Sequence, residues 1–484
     1  MDVSINQVAF TAIAALIIIA VAWVWKLNSA LKETPPEVLA ASPRRWTDQE
    51  IMETYERLKT NPLTWKKHLP PKLERRYIVT GGSGGVGGQI VLHLLERGQS
   101  PESIRIVDFR KPERPDMTTG LAARVDFAQA DITSAPATSA AFTKPWPASV
   151  STLPLTVFHT AAIIRPSERL LATYAPVKRV NIDGVQHVLA ASQRARASVL
   201  VATSSGSIAA VPVDYWGSSP FSRRWWPRHF WQAVDEADFE RPVRAHGRFF
   251  GNYAHAKAVG ERLVSEANAP GLRTGIVRPA NGVYGCSHND VLVGPLLCAG
   301  TCPTWIPNVV ENFVHTGHVS LAHLDFEAAL LKGEGEGEGG EMPKCAGRPF
   351  VVTDDGPPLM FCDLYRLLTC TAGTRFVYLQ PALMLVIAYV VEFFDWASRM
   401  PVLGWIVPRP RGELARLQPP IFTAATHLIA SDEAARRSVE DGGIGYKPVY
   451  NSLEGICQQV LEWNAANRGS DKGGSRSTAE TLGR

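Results

Sequence analysis

Cysteine is missing from the first half of this chain, and neither sign of charge dominates. Seven cysteines occur among the 484 residues, and the first of them is Cys286. This distribution argues against a disulfide framework in the first half and favours a reducing compartment. The formal net charge is only +4, and no basic block indicates nucleic-acid binding. Cys298 and Cys302 have no histidine or cysteine cluster beside them, so we predict buried thiols there and no metal site.

Charged residues are also absent between Val8 and Trp25. As a helix this stretch would be about 27 Å long, close to the hydrocarbon thickness of a bilayer. A cleaved secretory signal is the alternative, but such signals usually begin with basic residues, and here only Asp2 precedes the run. We therefore predict a transmembrane anchor over residues 1–27. Basic residues follow the run, so the positive-inside rule predicts a cytosolic main body.

Short apolar runs alternate with helix-like stretches from residue 75 to 285. The runs include RYIVT, IRIVDF, TVFHTAA, SVLVATSS and RTGIVRP. This alternation predicts an α/β fold with a doubly wound, Rossmann-type parallel sheet. Before it, residues 28–74 are predicted to be a linker with one short helix, capped by Thr47. After it, residues 286–467 would form a smaller substrate-binding and membrane-associated part, and residues 468–484 a disordered tail.

Three segments interrupt this pattern. Residues 212–250 form a Trp- and Arg-rich insert, for which a lid, a membrane-surface element and an ordinary packed insert all remain open. Residues 332–341 (KGEGEGEGGE) are of low complexity and predict a flexible loop. The apolar stretch 376–407 is interrupted too often to span a bilayer, which leaves an interfacial helix or a buried core helix. The tryptophans of the insert are Trp216, Trp225, Trp226 and Trp231.

A glycine-rich turn, TGGSGGVG, separates the strand YIVT from the helix QIVLHLLE. Glycines allow a tight turn and close approach of the backbone to a pyrophosphate, and the helix start offers free N–H groups. Asp108 ends the next predicted strand, where a carboxylate accepts hydrogen bonds from a ribose and repels a 2′-phosphate. We therefore predict NAD as the cofactor, although Arg110 and Lys111 keep NADP open. The predicted contacts in the turn are Gly81, Gly84, Gly85, Val86 and Gly87.

Tyr253 and Lys257 have the i, i+4 spacing that puts two side chains on one face of a helix. An ammonium group near a phenol lowers the pKa of the phenol, which can then exchange a proton with an alcohol or a carbonyl. Tyr55 has the same spacing to a lysine, but it precedes the first strand of the sheet, and we predict a solvated helix face there. The strand SVLVATSS supplies Ser205 as a hydroxyl beside Tyr253, with Ser204 as the alternative.

These residues together resemble the extended short-chain dehydrogenase/reductase superfamily. More narrowly, they are similar to its 3β-hydroxysteroid dehydrogenase branch, which includes the sterol-4α-carboxylate 3-dehydrogenases. The resemblance covers roughly residues 75–465 and includes the motifs TGGSGGVG, HTAAIIRP, VNIDGVQHVL, YAHAK and RPANGVYG. It implies that Asp131 and Ile132 lie near the adenine and that Ala161 passes close to the cofactor. One departure is the long segment between Ser205 and Tyr253.

The resemblance also implies roles for the catalytic candidates. Tyr253 would be the acid/base, Lys257 would hold the nicotinamide ribose and tune Tyr253, and Ser205 would orient the substrate oxygen. The expected reaction is NAD-dependent oxidation of a 3β-hydroxyl on a sterol or steroid, with decarboxylation at C4 where a 4-carboxylate is present. A terpenoid or another hydrophobic alcohol remains an alternative substrate, and a non-catalytic NAD-binding scaffold is an alternative of another class. The endoplasmic reticulum is the expected location, membrane lipid an expected partner and a homodimer an open possibility.

Overall fold

The computed structural model describes residues 5–215, 226–286, 290–332 and 342–467. The predictions made for Trp216 and Trp225, for most of the low-complexity loop and for the C-terminal tail lie outside these described residues.

Seventeen α-helices and fifteen β-strands make up the described chain. The strands are β1 (Arg76–Thr80), β2 (Ile104–Asp108), β3 (Asp126–Gln129), β4 (Leu155–His159), β5 (Ala197–Thr203), β6 (Trp231–Val234), β7 (Arg273–Pro279), β8 (Val283–Tyr284), β9 (Thr301–Thr304), β10 (Val310–Glu311), β11 (Val314–His315), β12 (Pro349–Val352), β13 (Leu359–Met360), β14 (Arg375–Tyr378) and β15 (His427–Ala430). The helices are α1 (Ile5–Lys32), α2 (Pro36–Ala41), α3 (Asp48–Thr60), α4 (Gly85–Glu96), α5 (Pro115–Thr118), α6 (Ala135–Thr143), α7 (Tyr174–Lys178), α8 (Gly184–Arg194), α9 (Asn252–Glu266), α10 (Val293–Ala299), α11 (Thr316–Leu331), α12 (Phe361–Ala372), α13 (Pro381–Ala397), α14 (Gly412–Arg416), α15 (Pro420–Ala424), α16 (Glu433–Arg436) and α17 (Ser452–Asn467).

The central sheet has seven strands in the order β12-β7-β5-β4-β1-β2-β3. All neighbouring pairs are parallel. The chain leaves β1 toward one edge of the sheet and returns to the other side of β1 at β4, so the strand order reverses between these two strands. Ligands of doubly wound folds bind at the carboxyl ends of the strands at such a reversal. The predicted fold class, a Rossmann-type α/β sheet, is therefore confirmed.

Both faces of the sheet are covered, which explains why its strands are apolar on both sides. In β1, Tyr77 and Val79 belong to the core cluster that includes residues of α4 and α11. Ile78 belongs to the cluster on the opposite face, with residues of α6 and α8. All three side chains are 0% exposed. The sheet is therefore the middle layer of three, and its strand ends are fixed by packing from both sides.

A second, smaller group of strands lies beside the carboxyl edge of the main sheet. Its largest sheet has the order β13-β10-β15-β6. The strand β6 comes from the Trp-rich insert, and the insert is held by Arg278 of β7, which donates to Asp238 at 2.6 Å. Arg262 of α9 also donates to the backbone carbonyl of Arg241. Residues 226–250 of the insert are therefore packed against the body.

The segment predicted to be a linker also packs against the body. Thr47 caps α3 as predicted, by accepting a hydrogen bond from the backbone N–H of Glu50 at 3.2 Å. Ile51, Tyr55 and Leu58 are buried in one cluster with residues of α12 and α17. The prediction that Tyr55 lies on a solvated helix face was wrong. This helix is amphipathic, and Tyr55 lies on its apolar side, where its hydroxyl accepts a hydrogen bond from Asn464 at 2.8 Å.

The N-terminal helix α1 has 28 residues. Among the described residues, it is the helix that is long and apolar enough to cross a membrane. The candidate span Phe10–Ala41 includes an 18-residue stretch with a mean hydropathy of 2.2, and 6% of that stretch is buried within the protein. The end of α1 is fixed to the body, because Leu27 and Leu31 pack in a cluster with residues of α13. The large exposed apolar residues of this helix are Phe10, Ile13, Leu16, Ile17, Ile18, Ile19, Val21 and Trp25.

Helix α13 occupies the apolar stretch whose role the sequence left open. It has 17 residues and two distinct faces. Ala382, Leu385 and Ala388 are buried in the cluster that includes the end of α1. Leu383, Val390 and Phe393 are exposed on the other face. The helix therefore combines a buried face with an exposed apolar face.

Candidate functional site

The glycine turn joins β1 to α4 at the reversal of strand order. Gly81 has a φ of +74°, a conformation that residues with a side chain rarely adopt. A Cβ on Gly87 would lie 2.3 Å from the carbonyl oxygen of Gly81, so a side chain there would open the turn. Gly84 precedes the helix without a side-chain cap, which leaves the N–H groups of the first turn of α4 to bind an anion. The turn therefore has the shape and the polarity that a pyrophosphate requires.

Ala161 contacts this turn from the neighbouring strand. It lies two residues after the end of β4, and a Cβ on Gly81 would be 2.6 Å from its backbone nitrogen. Thr160 adds a hydrogen bond, because its hydroxyl donates to the carbonyl of Thr80 at 2.8 Å. The structure therefore brings Ala161 next to Gly81, although 80 residues separate Thr160 from Thr80. Thr160 was not among the predicted site residues, and its motif HTAA was the available signal.

Asp108 lies at the carboxyl end of β2, beside the turn, and is 8% exposed. Its Oδ2 accepts a hydrogen bond from the backbone N–H of Ser83 at 3.1 Å, and its Oδ1 accepts one from that of Arg110 at 3.4 Å. Burial raises the pKa of Asp108, and these hydrogen bonds oppose the increase. The carboxylate is therefore oriented at the edge of the turn, where a ribose would lie next to a bound pyrophosphate.

The residues predicted to lie near the adenine follow β3. Asp131 is exposed, and its Oδ1 accepts a hydrogen bond from the backbone N–H of Thr133 at 2.9 Å. Ile132 is buried at 6% exposure, and its carbonyl contacts Nδ1 of His187 at 2.8 Å. The backbone N–H of Ala130 donates to the carbonyl of Asp108 at 2.9 Å. The pair therefore lies at the same edge of the sheet as Asp108.

The catalytic candidates come from β5 and α9. Ser205 follows β5 after one residue, and Tyr253 is the second residue of α9. Burial raises the pKa of Tyr253 to about 12, and the neighbouring Ser205 hydroxyl, which lies 2.7 Å from that of Ser207, opposes the increase. The structure thus brings Ser205 and Tyr253 together across the insert. Ser204, the alternative, has a buried hydroxyl without a partner among the described residues and lines an internal cavity with Lys257.

Lys257 lies one helical turn after Tyr253 and is 9% exposed. Its ammonium donates a hydrogen bond to the carbonyl of Thr203 at 2.8 Å. Burial lowers the pKa of Lys257 to about 8, and the charge of Glu261 opposes the decrease. From the spacing of the two residues in the sequence, we expected Lys257 to lower the pKa of Tyr253. In the described chain, desolvation of the phenol has the larger effect and raises that pKa instead.

The geometry of these residues fits a dinucleotide. The glycine turn and the start of α4 would hold the pyrophosphate. Asp108 would bind the ribose of the adenosine, and Asp131 and Ile132 would lie beside the adenine ring. Ala161 and Lys257 lie farther along the same edge of the sheet, toward β4 and β5. A buried carboxylate at the ribose position disfavours a 2′-phosphate, so NAD is the cofactor that this site fits.

Comparisons with known proteins show what this chain is similar to. The model of the 3-beta hydroxysteroid dehydrogenase/isomerase family matches residues 78–214, and that of the Male sterility protein family matches residues 154–292. The 3 beta-hydroxysteroid dehydrogenase type 7 of Mus musculus is 25% identical over 408 residues, which are 81% of this chain and 96% of the relative. The sterol-4-alpha-carboxylate 3-dehydrogenase, decarboxylating, of Schizosaccharomyces pombe is 25% identical over 297 residues, which are 60% of this chain and 73% of the relative.

Solved structures show the same fold at lower identity. UDP-glucose 4-epimerase of Thermotoga maritima has a TM-score of 0.52 and 18% identity, and the match covers 81% of this chain and 99% of the epimerase. The fold and the site together fit a dinucleotide-binding oxidoreductase, and the chain is similar to the 3β-hydroxysteroid dehydrogenases among the extended short-chain dehydrogenase/reductases. The names of the matched families and relatives indicate an oxidoreductase that acts on CH–OH groups.

Replacing Asp108 by alanine tests the assignment of the ribose contact. We expect Asp108→Ala to weaken NAD binding by about 10- to 100-fold, since a hydrogen bond to a charged group contributes about 1.5–3 kcal/mol. The preference for NAD over NADP should also decrease, because the carboxylate that repels a 2′-phosphate is gone. Isothermal titration with each dinucleotide measures both effects. Glu113→Ala, an exposed acid in the same loop, is the matched control, and an unchanged cofactor preference in Asp108→Ala would refute the assignment.

Proposed function

We propose that this protein oxidises a 3β-hydroxyl group on a sterol or steroid-like substrate, with NAD as the hydride acceptor. The observation that carries the proposal is the position of Tyr253 beside the Ser205 hydroxyl, with Lys257 one turn further along α9. The names of the relatives, which include 3β-hydroxysteroid dehydrogenases and a sterol-4α-carboxylate 3-dehydrogenase, support this class of substrate. We further propose that residues 286–467 supply most of the contacts to the hydrophobic substrate.

In this proposal the chain's own residues position the alcohol and move its proton. Ser205 donates a hydrogen bond to the substrate oxygen and orients it toward Tyr253. The ionised Tyr253 accepts the hydroxyl proton while the carbinol carbon becomes a carbonyl. NAD supplies the hydride acceptor when it is bound. Lys257 holds the nicotinamide ribose, and its ammonium favours the ionised form of Tyr253, whose pKa burial would otherwise keep near 12.

A carboxylate at C4 would extend the reaction. Oxidation at C3 then yields a β-keto acid, and the new carbonyl stabilises the carbanion that forms when carbon dioxide leaves. In this second step the electron pair of the broken bond moves into the carbonyl, and the resulting enolate takes a proton at C4 from water to give the ketone. The relative from Schizosaccharomyces pombe has "decarboxylating" in its name, and we propose the same outcome here for substrates that carry the carboxylate.

The substitution Tyr253→Phe tests the catalytic role. We expect NAD affinity to stay within about twofold and turnover of 3β-hydroxysterols to fall by about 10²- to 10⁴-fold, the range that proton transfer by a side chain contributes. Reduced-cofactor fluorescence with the purified protein in detergent measures turnover. Tyr55→Phe removes a hydroxyl with the same spacing to a lysine and should retain activity. Wild-type turnover in Tyr253→Phe would exclude Tyr253 as the acid/base.

We also propose that α1 anchors the protein in the endoplasmic reticulum membrane, with the body in the cytosol. Two features support this proposal: the exposed apolar surface of α1, and the basic residues that follow its uncharged run, among them Lys26 and Lys32. The end of the helix is fixed to the body by packing and by hydrogen bonds. Asn308, for example, donates to the carbonyl of Leu31 at 3.1 Å. A hydrophobic substrate partitions into lipid, so anchoring keeps the enzyme beside the membrane that contains the substrate.

Protease treatment of sealed microsomes tests this orientation. We expect an externally added protease to digest residues 33–467 in intact vesicles, because the body faces the cytosol. An epitope at the C-terminus, followed by immunoblotting, reports the digestion, and a lumenal marker protein verifies that the vesicles are sealed. If the body is protected until detergent is added, the proposed topology is wrong and the body faces the lumen.

A further inference from the structure

The loop between β4 and α7, here the 160–173 loop, has little regular structure but is held from several sides. The side chain of Asn181 accepts a hydrogen bond from the backbone N–H of Ile163 and donates to its carbonyl, both at 3.0 Å. Arg165 and Glu168 form an ion pair within the loop at 3.3 Å. A segment that lacks ladder hydrogen bonds depends on such neighbours for its position. The loop also forms hydrogen bonds with α9 on one side and an ion pair with α13 on the other.

The first of these contacts fixes the start of the helix that carries Tyr253. Helix α9 has no side-chain cap, so its first N–H groups need other acceptors. The backbone N–H of Asn252 donates to the carbonyl of Glu168 at 2.7 Å, and Nδ2 of Asn252 donates to the carbonyl of Leu170 at 3.0 Å. Asn252 is 0% exposed. The 160–173 loop therefore takes the place of a cap, one residue before Tyr253.

The second contact joins the same loop to α13. Nε of Arg169 donates to Oε1 of Glu392, and a second guanidinium nitrogen donates to Oε2, each at 2.6 Å. Glu392 has a side chain that is 12% exposed, and that of Arg169 is 39% exposed. Two parallel hydrogen bonds of this kind fix the orientation of both groups as well as their distance. The Arg169 guanidinium also lies 5.6 Å from the ring centre of Tyr389, one turn before Glu392.

Helix α13 is in turn joined to the N-terminal helix. Asn28 of α1 donates to Oε1 of Gln380 at 2.8 Å and accepts from the backbone N–H of Ala382 at 3.2 Å. Leu385 packs in the same cluster as Leu27. A continuous set of contacts therefore runs from the end of α1 through α13 and the 160–173 loop to the start of α9.

We infer that Arg169 and Glu392 are positioning residues for Tyr253, which couple its location to the seating of α13 beside the anchor helix. The inference rests on the proposed function, because it gives Tyr253 the role of acid/base. Neither side chain reaches the reacting atoms. Each acts by holding Glu168 and Leu170, whose carbonyls fix Asn252. The exposed apolar face of α13 points away from this pair, so contact between that face and lipid would leave the ion pair intact.

Two single substitutions and their combination test the pair. Glu392→Gln and Arg169→Gln should each lower kcat at least tenfold, while KM for the sterol and the affinity for NAD change less than about twofold. The exchanged pair Arg169→Glu with Glu392→Arg should recover most of kcat, because opposite charges face each other again. Lys332→Gln, which breaks an ion pair between exposed side chains with Glu440, is the matched control and should behave as the wild type.

Hydrogen–deuterium exchange provides a readout that does not depend on turnover. We expect the single variants to exchange at least tenfold faster than the wild type in peptides that cover residues 250–258, and the exchanged pair to return toward the wild-type rate. An unchanged kcat and unchanged exchange, with only a lower melting temperature, would overturn the inference. So would a failure of the exchanged pair to recover. If the wild type itself turned over no 3β-hydroxysterol, the proposed function would fail, and the exchange data would still decide whether the pair positions α9.

Discussion

The carboxyl edge of the parallel sheet is the constraint on which the site depends. The strands β1, β2, β4 and β5 end there. Asp108 is the last residue of β2, and the glycine turn, Ala161 and Ser205 follow the ends of β1, β4 and β5 within one or two residues. Because the strands are hydrogen bonded in register and covered on both faces, none of these positions can shift alone. The reversal of strand order between β1 and β4 opens the space beside the turn. The fold therefore delivers the cofactor residues, and α9 adds the groups that handle a proton.

Burial sets the electrostatics of the proton-handling groups. Tyr253 and Lys257 share one face of α9, and desolvation acts on them in opposite directions: it raises the pKa of the phenol to about 12 and lowers that of the amine to about 8. The effect moves apart two values that are almost equal in water. In the proposed reaction the charge of Lys257 works against the cost of ionising the phenol. Accurate positioning of Tyr253 therefore matters, since such effects fall off steeply with distance and orientation.

Local patterns in the sequence predicted the strands of the main sheet and the glycine turn after β1 well, because each strand and turn depends on neighbouring residues. The central strands β1, β2, β4, β5 and β7 match the predicted runs, and Thr47 caps α3 as expected. Features made by distant contacts were missed. Arg169 and Glu392 are 223 residues apart, and no periodicity links them. Tyr55 was assigned to solvent because its partner Asn464 lies 409 residues away. The two-residue strands of the smaller sheets are too short to have a pattern of their own.

The N-terminal helix α1 and the helix α9 that carries Tyr253 thus belong to one connected structure. The central claim is that a secondary alcohol loses its hydride to NAD at Tyr253. The most direct measurement uses a 3β-hydroxysterol with deuterium on the carbinol carbon and follows the label by mass spectrometry of the reduced cofactor. The account predicts that the wild-type protein transfers one deuterium to the nicotinamide ring. Reduced cofactor without the label, or ketone formed without reduced cofactor, would contradict it.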